Sequence, residues 1–191
     1  MRVAGKKEEI MQAALEIIAE QGFHSSPIAE IAARAEVAAG TIYRYFESKE
    51  VLISELRREL ENEISAALLK DYPADRPLQD RFHHILRGLI GHFIGNPLHF
   101  RYLEQYFNSP YGVALRREML CGDPKDGDIL LNLFDEGLDL RLLRALPKPV
   151  LLAMAMGPML LLMRDHVLGF VVLDDKLVSQ VTEASWAAIK S

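Results

Sequence analysis

Apolar residues recur at helical spacing along most of the chain, and this feature limits the possible folds more than any other. Between Ile10 and Ile18 they stand at positions i, i+3, i+4, i+7 and i+8, which is one stripe of an amphipathic helix. From Leu52 to Leu68 every fourth residue is apolar. We find no strand-like alternation of useful length and no internal repeat. The sequence therefore predicts an all-α protein.

The first 50 residues divide into three predicted helices separated by short breaks. The first is predicted to end near Gly22. Ser26 followed by Pro27 is typical of an N-cap with proline at the first helical position, so a second helix is predicted to begin there. A break at residues 36–37 leads to a third helix over 39–46. Two short helices joined by a tight turn, after a supporting helix, indicate a helix-turn-helix.

The rest of the chain is predicted to form a larger helical body. Ser48 is the expected N-cap of a long fourth helix, and the segment 108–127 is rich in turn residues, which predicts a loop around one short helix. The other predicted helices cover 78–94, 98–107, 128–145, 150–168 and 174–190. A long fourth helix that starts next to the third would connect the three-helix head to this body.

Composition is that of a soluble globular protein, with 191 residues, 50% apolar and 26% charged. Net charge is −5 overall, and residues 1–50 hold six Lys and Arg against eight Asp and Glu, which leaves −2. Bulk charge therefore does not indicate a nucleic-acid binder. A DNA-binding prediction must depend on where individual charges lie.

Several features predict a cytoplasmic protein without a membrane partner. The apolar run Val150–Met163 contains Gly-Pro and is shorter than the roughly 20 residues that span a bilayer, so a buried helix is expected. The N-terminal residues lack the pattern of a secretory signal. A single cysteine, Cys121, cannot form an internal disulfide, which fits a reducing compartment.

The third helix carries the residues that most directly suggest a function, in the stretch AGTIYRYFESKE at 39–50. Ile42 and Phe46 are four residues apart and are expected to point into the head. Thr41, Arg44 and Tyr45 share the other face. Their hydroxyl and guanidinium groups can hydrogen-bond base edges in a major groove.

Three neighbouring residues fit the same interpretation. Gly40 would let the backbone approach a DNA strand closely, and the Tyr43 phenol can reach a phosphate. Lys49 opposes the dipole of the following helix, so its ammonium is better placed against a phosphate. The alternative is that the aromatic residues only pack in the core and Arg44 is a solvated charge.

A family resemblance favours the first interpretation. Residues 6–53, and above all IMQAALEIIAEQGFHSSPIAEIAARAEVAAGTIYRYFESKEVL, resemble the DNA-binding head of TetR-family transcriptional regulators. Two positions differ from the family pattern, with Glu36 in place of the usual turn glycine and Ala38 in place of a Ser or Thr N-cap. The resemblance implies DNA contacts at Ser26, Pro27, Ala39, Gly40, Thr41, Tyr43, Arg44, Tyr45 and Lys49. It also implies a helix-turn-helix DNA-binding domain over 1–50 and a helical regulatory and dimerisation domain over 51–191.

A homodimer is expected through residues of about 150–190. The segment VLLAMAMGPMLLLM is apolar nearly all round its axis, and the last helix carries an apolar stripe at Val178, Val181, Ala184 and Ala188 with Trp186. Such helices should be covered by the core on one side and by a second subunit on the other. The alternative is a buried core helix in a monomer.

A pocket for a mainly apolar effector is predicted beside this segment, because Gly157-Pro158 should kink the helix and open space there. Methionine and aromatic side chains suit a flexible or flat apolar ligand. The alternative is that they simply fill the core. The candidates are Phe93, Phe100, Tyr106, Phe107, Phe134, Met154, Met159, Met163 and His166.

The sequence offers no sign of a metal, a cofactor or a catalytic site. His84 and His92 are two helical turns apart, and there is no His-Glu-x-x-His or Cys-x-x-Cys. DPKDGD at 123–128 lacks calcium-loop spacing and has Phe134 where a glutamate is needed. The predicted function is a ligand-responsive regulator, most simply a repressor, that binds a palindromic operator in double-stranded DNA. The alternative is a helical ligand-binding or protein-interaction module with little DNA affinity.

Overall fold

The structure is a computed structural model that describes residues 3–23, 25–121 and 129–191, and these form ten α-helices. Within those ranges the single β-type feature is an isolated bridge between Leu143 and Lys190, so the all-α prediction is confirmed. The helices are α1 Val3–Gln21, α2 Ile28–Arg34, α3 Ala39–Tyr45, α4 Lys49–Leu69, α5 Leu78–Gly95, α6 Pro97–Phe107, α7 Pro110–Cys121, α8 Ile129–Asp139, α9 Lys148–Val167 and α10 Asp175–Ile189.

Three local predictions differ from the structure. The start of α2 is shifted by one residue, because Pro27, not Ser26, is its N-cap. The segment predicted as a loop around one short helix contains α7, which is 12 residues long. The helix predicted over 128–145 ends at Asp139, because Arg141 takes a left-handed φ of 57° that closes the helix. The DPKDGD segment at 123–128 lies outside the described residues.

The chain divides into two compact units. The head unit comprises residues 1–63 and 96–115, and the body unit comprises residues 64–95 and 116–191. In the head unit α1 packs against α2 and α6, and α2 packs against α3. The apolar stripe of α1 is buried, as predicted, with Ile10, Ile17 and Ile18 each 0% exposed. The head is therefore built around the residues that gave the first helix its periodicity.

In the body unit α5 packs against α8, α9 and α10, and α9 packs against α10. The rings of Phe82 and Trp186 lie 5.5 Å apart in its core. Gly137 of α8 allows close packing, because a Cβ at this position would stand 2.7 Å from the Leu143 side chain. Thus Trp186, predicted at a subunit interface, belongs to the core of its own chain and is 6% exposed.

Helix α9 corresponds to the apolar helix predicted over about 150–168. It continues through Pro158 over 20 residues and is long and apolar enough to cross a membrane by those two criteria. Only 22% of the residues in its most apolar window are buried. Leu151, Met159 and Met163 face the core, whereas Leu160 and Leu161 are 46% and 56% exposed. Its own chain therefore covers one side of the helix only, which does not fit the alternative of a buried core helix in a monomer; cover of the other side by a second subunit stays a prediction.

Candidate nucleic-acid interface

The turn between α2 and α3 is closed by backbone hydrogen bonds in the Schellman pattern. The N–H of Glu36 donates to Ala33 O at 3.2 Å, and the N–H of Val37 donates to Ala32 O at 2.9 Å. Glu36 has φ of 53°, the left-handed conformation that glycine adopts most easily. The structure thus gives the physical reason for a glycine in this turn, and shows that Glu36 occupies the position despite its side chain.

Helix α3 is fixed by its apolar side and presents its polar side to solvent. Ile42 and Phe46 are each 1% exposed, as the sequence predicted. Tyr43 is 55% exposed and Arg44 is exposed, while Thr41 and Tyr45 are half-buried. The predicted orientation of α3 is therefore confirmed for Ile42 and Phe46, which are buried, and for Tyr43 and Arg44, which are exposed.

The N-terminus of α3 has no side-chain cap. Ala38 stands at the N-cap with extended backbone angles, φ −70° and ψ 145°, and cannot accept a hydrogen bond through its methyl group. Ala39 and Gly40 are exposed. A Cβ placed on Gly40 would have no atom within 4 Å, so packing inside the chain does not require glycine there.

Half of the Lys and Arg residues that the structure describes in the head unit pair with its own acids. Lys7 pairs with Glu55 at 2.5 Å, and its ammonium also lies 5.3 Å from the centre of the Phe46 ring. Arg34 of α2 pairs with Glu16 and Glu20 of α1 at 3.1 and 3.3 Å. These pairs fasten the helices behind α3 to one another. In the part of the chain that the structure describes, Arg44 forms no such pair, so its charge is available to a ligand.

Ser26 is a correction to the predicted contact set. Its side chain is 0% exposed, and its hydroxyl donates a hydrogen bond to Gly22 O. Pro27 beside it is exposed. The Ser26 hydroxyl is therefore used inside the head unit and does not lie on its surface.

Lys49 also differs from the prediction. Its Nζ donates to Phe23 O at 2.7 Å and is partly buried. Burial lowers the pKa of the Lys49 ammonium, and the neighbouring Glu50 opposes this shift. Lys49 is the first residue of α4, and the N–H of Val51 lies 3.3 Å from the Ser48 hydroxyl, as expected for a capping serine. The lysine expected to point at a phosphate is bonded to a backbone carbonyl.

An aromatic cluster behind this carbonyl was not found from the sequence. The Phe23 ring lies edge-on to Tyr102, Tyr106 and Tyr111 at centroid distances of 5.6, 6.0 and 5.8 Å. The Tyr102 hydroxyl donates to Ile53 O at 2.8 Å, and burial raises the pKa of this tyrosine. The spacing of Tyr102 and Tyr106, four apart on α6, was the available signal, because it places both rings on one helix face.

The nine predicted pocket residues are divided between the two compact units. Phe100, Tyr106 and Phe107 belong to the head unit, and the other six belong to the body unit. Phe134 and Met163 are 0% exposed, which fits the alternative that they fill the core. His166 is bonded locally instead, with its Nδ1 3.2 Å from Val171 O and 3.4 Å from Leu173 N.

Two open clefts are seen, and none of these nine residues lines either of them. One, of about 760 Å³, lies in the head unit among α1, α2, α4 and α6. Its walls carry six glutamates, namely Glu8, Glu9, Glu16, Glu36, Glu59 and Glu63. The other, of about 540 Å³, lies in the body unit beside His83 and His84. The excess negative charge of the head unit thus lies mainly on the walls of the head-unit cleft, and no residue of α3 lines that cleft.

The head geometry defines a class of protein. A short helix with a buried apolar side and an exposed hydroxyl-and-guanidinium side, preceded by a tight turn and a second short helix, is a DNA-binding helix-turn-helix. Sequence comparison agrees: residues 10–56 match the family described as bacterial regulatory proteins, tetR family. Residues 77–190 match the family described as tetracyclin repressor-like, C-terminal domain. The chain therefore belongs to the TetR family of transcriptional regulators.

Individual relatives agree along the whole chain. An uncharacterised HTH-type transcriptional regulator of Haemophilus influenzae is 25% identical over 190 residues, covering 96% of this chain and 95% of that protein. A TetR-family protein from Vibrio parahaemolyticus has a solved structure with a TM-score of 0.72 and 32% identity, covering 97% and 99% of the two chains. A regulator from Marinobacter aquaeolei shares the fold, with a TM-score of 0.84 at 22% identity over 98% and 96%. The protein is thus a DNA-binding regulator of a ligand-responsive family.

Proposed function

We propose that this protein is a homodimeric repressor that binds a palindromic operator and is released from it by a small, mainly apolar molecule. One observation carries the proposal: α3 is anchored by Ile42 and Phe46, each 1% exposed, and turns the unpaired Arg44 and the exposed Tyr43 to solvent. A regulator of this kind acts in the bacterial cytoplasm.

The contact roles follow from exposure and chemistry. Arg44 reads a base edge, and Thr41 and Tyr45 supply hydroxyls beside it, since all three share one side of α3. The exposed phenol of Tyr43 reaches a phosphate, which fixes position without reading sequence. Pro27, Ala39 and Gly40 are exposed and small or rigid, so they permit close approach of the DNA backbone.

Dimerisation is supported by the exposed apolar stripe of α9. Val150, Leu160 and Leu161 of α9 and its C-cap residue Leu168 are 41–56% exposed and lie along one side of the helix. A patch of this kind marks a protein interface on a soluble domain. Within residues 150–190 we assign the interface to this stripe together with Ala184 and Ala188 of α10, since Val181 and Trp186 are buried in their own chain.

The effector acts by linkage. A ligand that binds better to a form with unsuitable spacing of the two heads must lower DNA affinity, typically by about 1–3 kcal/mol. Helix α4 contributes residues to both compact units, which supports it as the element that moves. The nine residues predicted from the sequence remain the candidates for the effector's pocket, with six of them in the body unit and three in the head unit.

The decisive experiment is selection of DNA by the purified protein from a random pool, followed by sequencing. We expect a two-fold symmetric site with half-sites about one helical turn apart, which matches two recognition helices about 34–36 Å apart. Binding should weaken steeply with salt. Enrichment of no sequence at moderate salt would instead support a helical interaction module, the function that the net −2 charge of residues 1–50 favours.

A further inference from the structure

The open cleft of about 540 Å³ in the body unit is built mainly on one side of α5. Five of its lining residues recur at i, i+3, i+4, i+7 and i+8 along this helix, namely Asp80, His83, His84, Arg87 and Gly88. That spacing places them on one helix face. Ala67 of α4 and Pro73 complete the lining. The volume lies in the range of about 300–1,000 Å³ that is typical of small-molecule sites.

His84 is held in place at the edge of this cleft. Its Nε2 donates to Leu68 O at 3.0 Å, since a carbonyl oxygen can only accept, and its ring lies edge-on to that of Tyr72 at 5.7 Å. Gly88, one turn further along α5, lets the end of α4 approach closely, because a Cβ there would stand 2.8 Å from Leu68 Cδ2. The cleft therefore has a fixed wall where α4 meets α5.

His83 is less well satisfied. Its Nε2 lies 3.4 Å from Oε2 of Glu183 on α10, but this buried nitrogen forms no hydrogen bond with any described residue. Its ring lies edge-on to Trp186 at 6.5 Å. Burial lowers the pKa of His83, and Glu183 partly opposes this shift. Arg87 lowers the pKa as well, whereas Asp80 raises it. His83 is therefore a neutral imidazole that responds to the charge of Arg87.

Arg87 is the one Lys or Arg residue among the described residues that line the cleft. It is exposed and forms no ion pair within the described ranges. Its neighbours on the chain are paired, because Arg81 holds both carboxylate oxygens of Glu136 and Arg76 lies 3.4 Å from Asp80. The guanidinium of Arg87 is thus available to a ligand in the cleft.

We propose that this cleft binds a small monocarboxylate, with its carboxylate at Arg87 and a short apolar part against Ala67 and Pro73. The planar guanidinium matches a carboxylate through two parallel N–H bonds. One negative charge suits one unpaired cation, and the carboxylates of Asp80 and Glu183 would repel a second negative charge. The inference goes beyond the proposed function, because binding at this site does not require DNA.

The first test titrates the purified protein with butyrate and follows the ring signals of isotope-labelled histidines by NMR. The signals of His83 and His84 should shift and saturate with a Kd on the order of 1 mM. A bound carboxylate offsets the charge of Arg87, so the pKa of His83 should rise on binding. Butyramide, the neutral amide of nearly the same shape, should cause no saturable shift. Butyrate that causes none either would overturn the proposal.

The second test replaces the cation. Arg87→Gln removes the charged donors and should raise the Kd for butyrate at least about tenfold. Arg58→Gln is the matched control, because Arg58 is also an exposed arginine but lies on α4 in the head unit, and its Kd should equal that of wild type. Circular dichroism would verify that both variants are folded. Equal affinity of wild type and Arg87→Gln for butyrate would contradict the assignment.

Inorganic phosphate tests the class of ligand. It carries more negative charge than butyrate and has no apolar part, so it should bind more weakly at the same ionic strength. Phosphate that binds as tightly as butyrate would show a site for any small oxyanion, and the assignment to a carboxylate would fail. If butyrate binds to a protein that selects no DNA, the proposed function fails and this site stands.

Discussion

Helices α3 and α9 are both only partly covered by their own chain, but they expose opposite chemistry. The seven residues of α3 bury Ile42 and expose a phenol and a guanidinium. The 20 residues of α9 bury Leu151, Met159 and Met163 and expose further leucines on the other side. An exposed polar face is satisfied by water until a ligand replaces it, whereas an exposed apolar stripe gains free energy only when another apolar surface covers it.

This difference indicates two kinds of partner for one chain. The polar side of α3 suits a hydrogen-bonding, negatively charged surface such as a DNA groove. The apolar side of α9 suits a second copy of the same helix, since a two-fold axis brings identical patches together. Substitutions on the two faces should therefore affect different measurements, and four changes in these helices or in the turn before α3 test the comparison.

The largest effect is expected on α9. Leu161→Glu would remove apolar area worth about 1.5–3 kcal/mol from each subunit and bury two like charges. The dissociation constant of the dimer should rise at least about a thousandfold, which corresponds to about 4 kcal/mol. Sedimentation equilibrium would measure it.

The matched control for that substitution is Leu69→Glu. Leu69 is 60% exposed and Leu161 is 56% exposed, but Leu69 lies at the end of α4, outside the proposed interface. Circular dichroism would verify that both variants remain folded. A Leu161→Glu protein that stays dimeric as tightly as Leu69→Glu would show that the exposed face of α9 is not the interface.

The second-largest effect is expected on the buried side of α3. Ile42→Ala removes three carbons from a side chain that is 1% exposed, and such core truncations cost about 2–5 kcal/mol of unfolding free energy. Thermal or urea unfolding of the purified protein would show the loss. A destabilisation below about 1 kcal/mol would mean that α3 is not anchored in the way its burial indicates.

Arg44→Ala tests the solvent-exposed side of α3 and should have an intermediate effect, on DNA affinity. Each lost base contact costs about 1–3 kcal/mol of binding free energy, so affinity for the selected site should fall several-fold to a hundredfold per subunit. Preference for the contacted base should relax, while thermal stability stays as in wild type because Arg44 is exposed and forms no ion pair in the described structure. Lys176→Ala controls for the loss of one positive charge, and equal affinities of the two variants would contradict the assignment.

In the head unit, the sequence was sufficient to predict which residues are buried wherever apolar residues recur at helical spacing. The spacing of Ile10 to Ile18 and of Ile42 and Phe46 predicted which residues are buried, because a helix of known pitch leaves one side for the core. The sequence did not predict the partners of Ser26 and Lys49 within the chain, which are backbone carbonyls of residues 22 and 23. Every residue has a backbone carbonyl, so the sequence does not show which carbonyl a side chain will bind.

For the body, composition was a poor guide to position. That methionine and aromatic residues line one pocket stays a prediction, because the same residue types fill ordinary cores, and Phe134 and Met163 are 0% exposed. The apolar content of α9 likewise did not show which of its residues its own chain covers, and 22% of its most apolar window is buried there. Hydrophobicity indicates that a residue avoids water, but not whether its own chain or a partner provides the cover.

The smallest expected effect lies at the turn that leads into α3. Glu36 occupies a position with φ of 53°, where a residue with a Cβ carries a strain of about 1–2 kcal/mol. Glycine removes that strain but gains freedom in the unfolded chain, so Glu36→Gly should stabilise the protein by a net of up to about 1 kcal/mol, or a few degrees. Glu36→Ala separates the causes, because it removes the carboxylate and keeps the Cβ. If backbone strain is the cause, only the glycine variant should have a higher melting temperature. An equal rise in both variants would show that charge repulsion among the glutamates of the head-unit cleft is the cause. In that case the left-handed conformation of residue 36 adds no strain to the turn before α3.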